Sequence, residues 1–578
     1  MTDARKSRPA GTDAGEATAA DGEHPYCARD MANGEHPRYA RDVEQGPKPA
    51  AHGTTAMVSA SHPAVADAME AVVRRGGNAM DAVLTAVPLQ AVVEPQMTTL
   101  AGGMSVLYYD AGRRAFSYVD GELDHTRDDP PVAATWDQYG AVDGALDPGS
   151  GRRTGVPGTV AGMHEAMTGH GTLAWADYFA PAIEAAGSGF PMYSFLYGET
   201  FAAAGRLAVH PSGRAEFLPG GHVPAVGAPV VRPALAETLR RIAADGPDHL
   251  YRGPWAQRFV AAVRATGGTL TAGDLAGYAA RVLEPTRATY HGYDIVGAPP
   301  PSAAGVMISL TLGILEHAEL PSLGHYTTEA EALEVLRRAV AFGEFFTERF
   351  VRDPLSYQVP DARLLAPEFA ASLAALVRGS ARRDPLPAGP PRPAAHGAPH
   401  ATNTDHVVAV DGDGNMASLT HSVYGTTFGT GLVVDGIHAN SGNGFPGTGS
   451  GPGRRALSPF PPTMAARDGV AFLALGSPGL SARATALVLA NHLGYGLDLA
   501  SAIDQPRFQG AQVDQPFTVE ARIDPAVLEE LTVRYGADVR LTTPYHWHFG
   551  AVHAVAVDAD GTRRGYCDPR RPGRATGW

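Results

Sequence analysis

The chain has 578 residues and a formal net charge of −14, with 44% hydrophobic and 18% charged residues. An acidic balance without basic runs excludes the electrostatic footprint of a nucleic-acid or anionic-membrane binder and leaves small molecules as the expected substrates. Only two cysteines occur, Cys27 and Cys567, which gives no basis for a disulfide framework or a cysteine-built metal site.

Residues 1–52 are rich in Ala, Gly, Pro, Asp and Glu and poor in large apolar residues. Such a composition cannot offset its ordering entropy, so a disordered tail is expected there. It contains a short duplication, GEHPYCARD (22–30) and GEHPRYARD (34–42), too short for a solenoid and read as an unselected tandem repeat. The start lacks a signal-peptide core, and no run approaches about 18 uninterrupted apolar residues. No membrane contact is expected, and the cytoplasm is the default compartment.

The globular part opens at 57–87, where a short strand gives way to helical spacing of Ala and Val. Gly76 and Gly77 break that helix as a C-cap and turn. SVLYYD (105–110) and AFSYVD (115–120) predict paired strands, and helical patterns dominate from about 170 to 380. The segment 384–403, DPLPAGPPRPAAHGAPHATN, carries six prolines and reads as a stiff, solvated linker. Directly after it, DHVVAVDGDGNMASLTHSV (405–423) predicts a hairpin around an Asp-Gly turn, and ARATALVLANHL (482–493) predicts a helix. The junction of linker and strand is a natural boundary.

Common catalytic motifs are absent: there is no GxxxxGK[ST] loop and no HExxH helix, and GSPGLS (476–481) lacks the GxSxG spacing. The 22 histidines follow no metal-ligand spacing; His62, His210 and His317 read as surface or capping residues, and neither a metal nor another cofactor is expected. Thr404 remains, where the linker meets the strand. A threonine hydroxyl is a poor nucleophile without an adjacent base. If Thr404 became a chain terminus, its own α-amine, with an unperturbed pKa of about 7.7–8.0, would be that base. On its own, a Thr after Asn also fits an ordinary strand-entry residue.

TNTDHVVAVDGDGN (402–415), TTFGTG (426–431), GSPG (476–479), YGLDLASAIDQPRFQ (495–509) and CDPRRPG (567–573) resemble, in order, motifs of the γ-glutamyltranspeptidases. Upstream, GGNAMDAV (76–83), TGVPGTVAGM (154–163), GTLAWADYFAPAIEAAGSGF (171–190), GPDHLYRG (246–253) and APPPSAAGV (298–306) do the same. The resemblance spans roughly 55 to 578. It implies an α+β fold, the four-layer αββα sandwich of the N-terminal-nucleophile (Ntn) hydrolases, formed by two subunits of one self-cleaved precursor. The cut would fall between Asn403 and Thr404, giving a large subunit (53–403, linker included) and a small one (404–578) as partners. Thr404 would be the nucleophile. Ser422 stands where the family has a Thr that supports the nucleophile and its processing. The backbone N–H groups of Gly479 and Leu480 stand at the oxyanion hole, with Leu480 where a second Gly is usual.

The substrate-binding positions depart from the family. Asp120-Gly121-Glu122 replaces the Asp-x-Arg triplet, setting an acid where a carboxylate-binding cation belongs. Tyr424 and Gly425 precede TTFG with one residue more than the family spacing. The loop NSGNGF (440–445), with Gly442 and Asn443, lacks the acidic pair that would hold an ammonium, Ser458-Pro459 replaces a Ser pair, and the lid shrinks to PGTGSGPG (446–453). Five changes at one subsite imply a substrate other than a simple γ-glutamyl compound. Divergent members of alkylproline natural-product pathways (lincomycin, hormaomycin and pyrrolobenzodiazepine type) share such losses, so hydrolysis of a C–C or amide bond in a biosynthetic intermediate is expected. Two alternatives stay open. One is a genuine γ-glutamyl hydrolase or transferase, with Arg127 or Arg455 supplying the cation. The other is an unprocessed, non-catalytic homologue, because Asp405 replaces the Thr that usually follows the nucleophile.

Overall fold

A computed structural model of the chain describes residues 46–128, 136–137, 140–141, 147, 149–381, 403–443, 451–479, 481–510 and 516–578. The duplication, the linker before Asn403, Leu480 and the lid residues 446–450 lie outside the described residues.

Fourteen strands, numbered here in chain order, build two seven-stranded antiparallel sheets. They are β1 (Ala51–Gly53), β2 (Met57–Ala60), β3 (Gly103–Asp110), β4 (Ala115–Gly121), β5 (Arg281–Leu283), β6 (Thr286–Tyr290), β7 (Tyr293–Gly297), β8 (Asp405–Val410), β9 (Met416–Ser422), β10 (Thr463–Arg467), β11 (Val470–Gly476), β12 (His553–Val557), β13 (Arg563–Cys567) and β14 (Arg574–Gly577). The first sheet runs β14-β2-β8-β9-β3-β4-β5 and the second β1-β13-β12-β11-β10-β7-β6.

The sheets pack face to face through Met57, Leu107, Val408, Met464, Ala474 and Val555. The outer face of the first sheet carries helices that include α1 (Pro63–Arg74), α2 (Ala79–Val93) and α3 (Thr159–His170). The outer face of the second carries α4 (Ala304–His317), α5 (Ala330–Phe350) and α6 (Ser481–Leu489). This is the four-layer αββα sandwich that the sequence led one to expect. It also explains a texture of β8 and β9. Every residue of both is buried, because Val407 and Ala409 face helices while Val408 and Val410 face the other sheet. A strand covered on both sides reads as a continuous apolar run rather than as alternation.

The predicted hairpins at 105–120 and 405–423 form, and Gly76, with φ 95°, closes the turn after α1. The tail boundary needs correcting. Ala51 and His52 pair with Gly565 and Arg564 in β1–β13, so ordered structure begins before residue 52; three residues suffice because β13 supplies the ladder partners. The histidine reading also shifts. His62 accepts from Ala64 N and caps α1, but both it and His210 are buried, whereas His317 is exposed in the last turn of α4.

Candidate active site

The sheet register assembles the site. Asp405 pairs with His421, which sets Thr404 opposite Ser422 at one end of β8–β9. Ser422 pairs in turn with Gly103, and Met104 pairs with Gly121, so Glu122 leaves β4 at the same sheet end. Residues hundreds of positions apart thus form one row because neighbouring strands finish together.

Thr404, Asn403 and Ser422 are all buried. The Thr404 hydroxyl donates to Ser422 Oγ at 2.9 Å, and Tyr424 N donates to the same oxygen at 2.9 Å. Ser422 spends its own proton on the Asn403 carbonyl oxygen. The chain Thr404 O–H to Ser422 O–H to Asn403 C=O therefore joins a hydroxyl to the carbonyl that precedes it, with a second hydroxyl between them able to pass a proton along.

Arg571 lies in the motif CDPRRPG (567–573), and nothing in its local spacing marks it as a site residue. Arg571 leaves the link that carries the chain from β13 in the second sheet to β14 in the first, and Arg571 Nη1 donates to the Thr404 carbonyl at 2.9 Å. The neighbouring Arg570 is committed elsewhere, to Glu520 and Asp568. Gly479 follows β11 in the second sheet and has φ 60°, and a Cβ there would stand 2.9 Å from Arg571 Nη2. Glycine suits both the left-handed backbone and the close approach. One guanidinium therefore lies against both Thr404 and the Gly479 turn.

Asp405 points from β8 toward the helices. Burial pushes its carboxyl up, opposed by the nearby Arg571 charge. Glu94, which follows α2, is pushed well up by burial and by Asp405, and Ser61 Oγ donates to Glu94 at 2.7 Å. Two adjacent buried acids cannot both ionise cheaply, so the pair favours holding a proton.

The substrate-binding candidates divide. Glu122 is buried, with the Tyr118 and Tyr424 hydroxyls donating to its two carboxyl oxygens at 3.3 and 3.4 Å. Burial and the neighbouring Asp120 push its carboxyl well above the ordinary range, which favours the protonated form. Tyr424 adopts φ 59°, and its ring packs on Phe460 at 4.9 Å. A Cβ on Gly103 would stand 2.9 Å from the Tyr424 ring and one on Gly442 3.1 Å from Tyr424 Cβ, so both glycines make room for that side chain. Leu123, Tyr424, Ala456 and Phe460 form an apolar cluster here. Ser458 Oγ accepts from Phe460 N at 3.0 Å and also acts on Glu122. Asn443 lies apart in role: it accepts from Thr126 N and His125 Nδ1 and donates to Arg152 O, which ties loops together.

Arg455, one candidate for a replacement cation, is fully buried and already bound. It donates to Asp120 and Asp124, both at 3.0 Å, and to the Glu122 and Ala279 carbonyls. Arg127, the other, is 60% exposed and 3.7 Å from Asp274. A cavity of about 570 Å³ lined by Leu283, Glu284, Pro299 and Tyr357 includes none of the candidate residues. Among the described residues no group of three or more His, Cys, Asp or Glu is placed to hold a metal ion, and no helix is long and apolar enough to cross a membrane.

A family model described as gamma-glutamyltranspeptidase matches residues 65–578. The glutathione hydrolase proenzyme of Pseudomonas sp. (strain A14) is 33% identical over 505 residues, covering 80% of this chain and 83% of that protein. The acylase ACY 1 proenzyme of Pseudomonas sp. (strain SE83) is 31% identical over 543 residues, covering 90% and 92%. Among solved structures, cephalosporin acylase from Bacillus halodurans matches with a TM-score of 0.78 at 24% identity, over 92% of this chain and 97% of that one. LmbA2991HD matches with a TM-score of 0.75 at 26% identity, over 92% and 99%.

Proposed function

We propose that this chain, which belongs to the γ-glutamyltranspeptidase family, is a precursor that cuts itself before Thr404 and then uses Thr404 to hydrolyse an acyl compound other than a simple γ-glutamyl one. The observation that carries the reading is the hydrogen-bond chain from the Thr404 hydroxyl through Ser422 to the Asn403 carbonyl. In self-cleavage, Thr404 Oγ1 attacks the Asn403 carbonyl carbon. Ser422 takes the hydroxyl proton and passes its own to the carbonyl oxygen. The C–N bond then breaks as the Thr404 nitrogen gains a proton, and water hydrolyses the resulting ester. The products are a carboxylate on Asn403 and a free α-amine on Thr404.

In turnover, that amine is the base beside the hydroxyl. Thr404 attacks the substrate carbonyl, the N–H of Gly479 (with that of Leu480) holds the oxyanion, and the leaving group departs with a proton. Water releases the acyl group. Each preorganised donor of this kind is worth about 2.7–4 kcal/mol of transition-state stabilisation.

Support for a changed substrate comes from Glu122, Tyr424 and Arg455. Where a glutamyl carboxylate would need a free cation, there is a buried acid under two phenols, and Arg455 is already bound to Asp120 and Asp124. An acyl group bearing an apolar or keto function suits such surroundings, and the bond broken is an amide or a C–C bond next to the carbonyl. As in divergent members serving alkylproline pathways, the substrate is then a natural-product intermediate.

Relatives named glutathione hydrolase favour a second reading, a γ-glutamyl hydrolase. Two measurements decide. Denaturing electrophoresis is expected to give bands of about 42 and about 18 kDa, the shares of 403 and 175 residues in 60.2 kDa, with N-terminal sequencing of the smaller starting at Thr404. Thr404→Ala is expected to leave one intact band, and an intact wild type would overturn the reading. Rapid colour release from γ-glutamyl-p-nitroanilide would establish the second reading instead.

A further inference from the structure

Tyr424 starts beside the Thr404 hydroxyl, since its backbone N–H and that hydroxyl donate to the same oxygen, Ser422 Oγ, each at 2.9 Å. Its backbone is left-handed, with φ 59°, and so is that of Gly425, with φ 64°. Glycine adopts that conformation freely, whereas an aromatic residue seldom does. Ser441 Oγ donates to the Tyr424 carbonyl at 2.7 Å and fixes the turn. A residue held in a sparsely populated conformation points to a purpose served by its side chain. Here the turn carries the ring inward, where only 3% of the residue stays exposed.

That ring is hemmed in. A Cβ on Gly103 would stand 2.9 Å from its Cε2, and one on Gly442 would stand 3.3 Å from its Cγ. The Phe460 ring packs 4.9 Å away, and Leu123 and Ala456 complete the cluster. The hydroxyl donates to Glu122 at 3.4 Å and hydrogen-bonds with Ser458. The candidate substrate-binding residues Glu122, Gly442 and Ser458 thus surround the phenol of Tyr424 rather than an open pocket.

We propose that Tyr424 is a plug that fills the acyl side of the Thr404 site and restricts the substrate to a short, uncharged acyl group, such as acetyl or propionyl, on a larger leaving group. The proposal rests on the reading of Thr404 as nucleophile. A chain continuing past the attacked carbonyl toward Glu122 would overlap the phenol, and a close-packed ring has nowhere to yield. Charge is excluded because Glu122 and Asp120 border the plug, while Arg455 is already bound to Asp120 and Asp124. A short acyl group offers little surface, so the binding energy comes from the leaving group. No chemical step is added: the acyl group passes to Thr404 Oγ1 and water releases it, as in the reading above.

The test compares the p-nitroanilides of acetic, hexanoic and phenylacetic acids as substrates of the processed enzyme. In the wild type kcat/KM for acetyl is expected to exceed that for phenylacetyl by about 10–200-fold, the range an apolar pocket reaches on size alone. Tyr424→Phe keeps the ring and is expected to keep that order. Tyr424→Ala is expected to close the gap to within about tenfold, mainly by accelerating the longer compounds. A dry apolar cavity binds a matching aromatic molecule, so p-cresol is expected to raise the Tm of Tyr424→Ala but not of the wild type, and to compete with the phenylacetyl compound. The wild-type order alone decides if Tyr424→Ala does not fold. The plug is overturned by equal turnover of acetyl and phenylacetyl compounds in the wild type, by no turnover of the acetyl compound, or by a Tyr424→Ala enzyme that binds p-cresol yet keeps the wild-type order. The same samples are run on the denaturing gel. Two fragments without short-acyl preference overturn the plug alone, whereas one intact band overturns the Thr404 reading and the plug with it.

Discussion

Ser422 receives two donors and gives one proton to Asn403, so its hydroxyl is the only described atom joining both sides of the bond proposed to be cut. Ser422→Ala removes the relay while keeping the strand. It is expected to slow self-cleavage by about 10²–10⁴-fold, the usual worth of a positioned proton carrier, read as the rate of loss of the intact band on a gel. Ser422→Thr keeps the hydroxyl and is expected to cleave within about tenfold of wild type. Glu122 makes a different prediction. Its carboxyl is raised in the folded chain, so the folded state binds that proton more tightly than the unfolded one. The stability it lends is fully present below the ordinary glutamate value of about 4.3 and is lost as pH rises toward the folded value. Glu122→Gln has no proton to lose. Its urea midpoint is expected to fall less between mildly acidic and alkaline pH than that of wild type, and identical pH slopes would show that Glu122 is not held neutral.

At the scale of elements, Asp411 connects two of them. Its Oδ1 accepts from Asp413 N and Asn415 N, closing the β8–β9 turn, while Oδ2 accepts from Ala79 N at the start of α2 and from Asn415 Nδ2. Asp411→Ala leaves several of these donors unpaired and is expected to lower stability by about 1–3 kcal/mol, measured as a shift in urea midpoint without loss of the nucleophile. This hairpin was legible in the sequence, since Asp-Gly punctuation between apolar runs is a local signal. The four-layer fold, Thr404 and Ser422 were legible through ordered motifs, and Glu122 and Tyr424 stood out because they break a pattern. Arg571 and Glu94 were not legible. Their importance comes from a chain crossing between sheets and from a helix end meeting β8, and neither leaves a mark in local spacing. The part of Asn443 as a tie between loops was not legible either, for the same reason.

On the scale of the molecule, the two sides of the Asn403–Thr404 bond are woven together. The first sheet alternates β14, β8 and β9 from the C-terminal side with β2, β3, β4 and β5 from the other, and the second inserts β10 to β13 between β1 and β6–β7. The two proposed fragments therefore share strand ladders and four apolar clusters. Size-exclusion chromatography in native buffer is expected to elute them as one species, and separation is expected only in denaturant; early loss of the smaller fragment would contradict the topology. The interleaving also gives the cut a direction in time. An intact chain that unfolds keeps its two halves tethered and refolds at a rate independent of concentration. After the proposed cut, recovery would require two separate fragments to meet in solution, so it would slow on dilution and compete with aggregation through bare strand edges. If the bond at Asn403 is cut as proposed, the covalent tether belongs to the precursor alone, and afterwards only the interleaved strands hold the two fragments together.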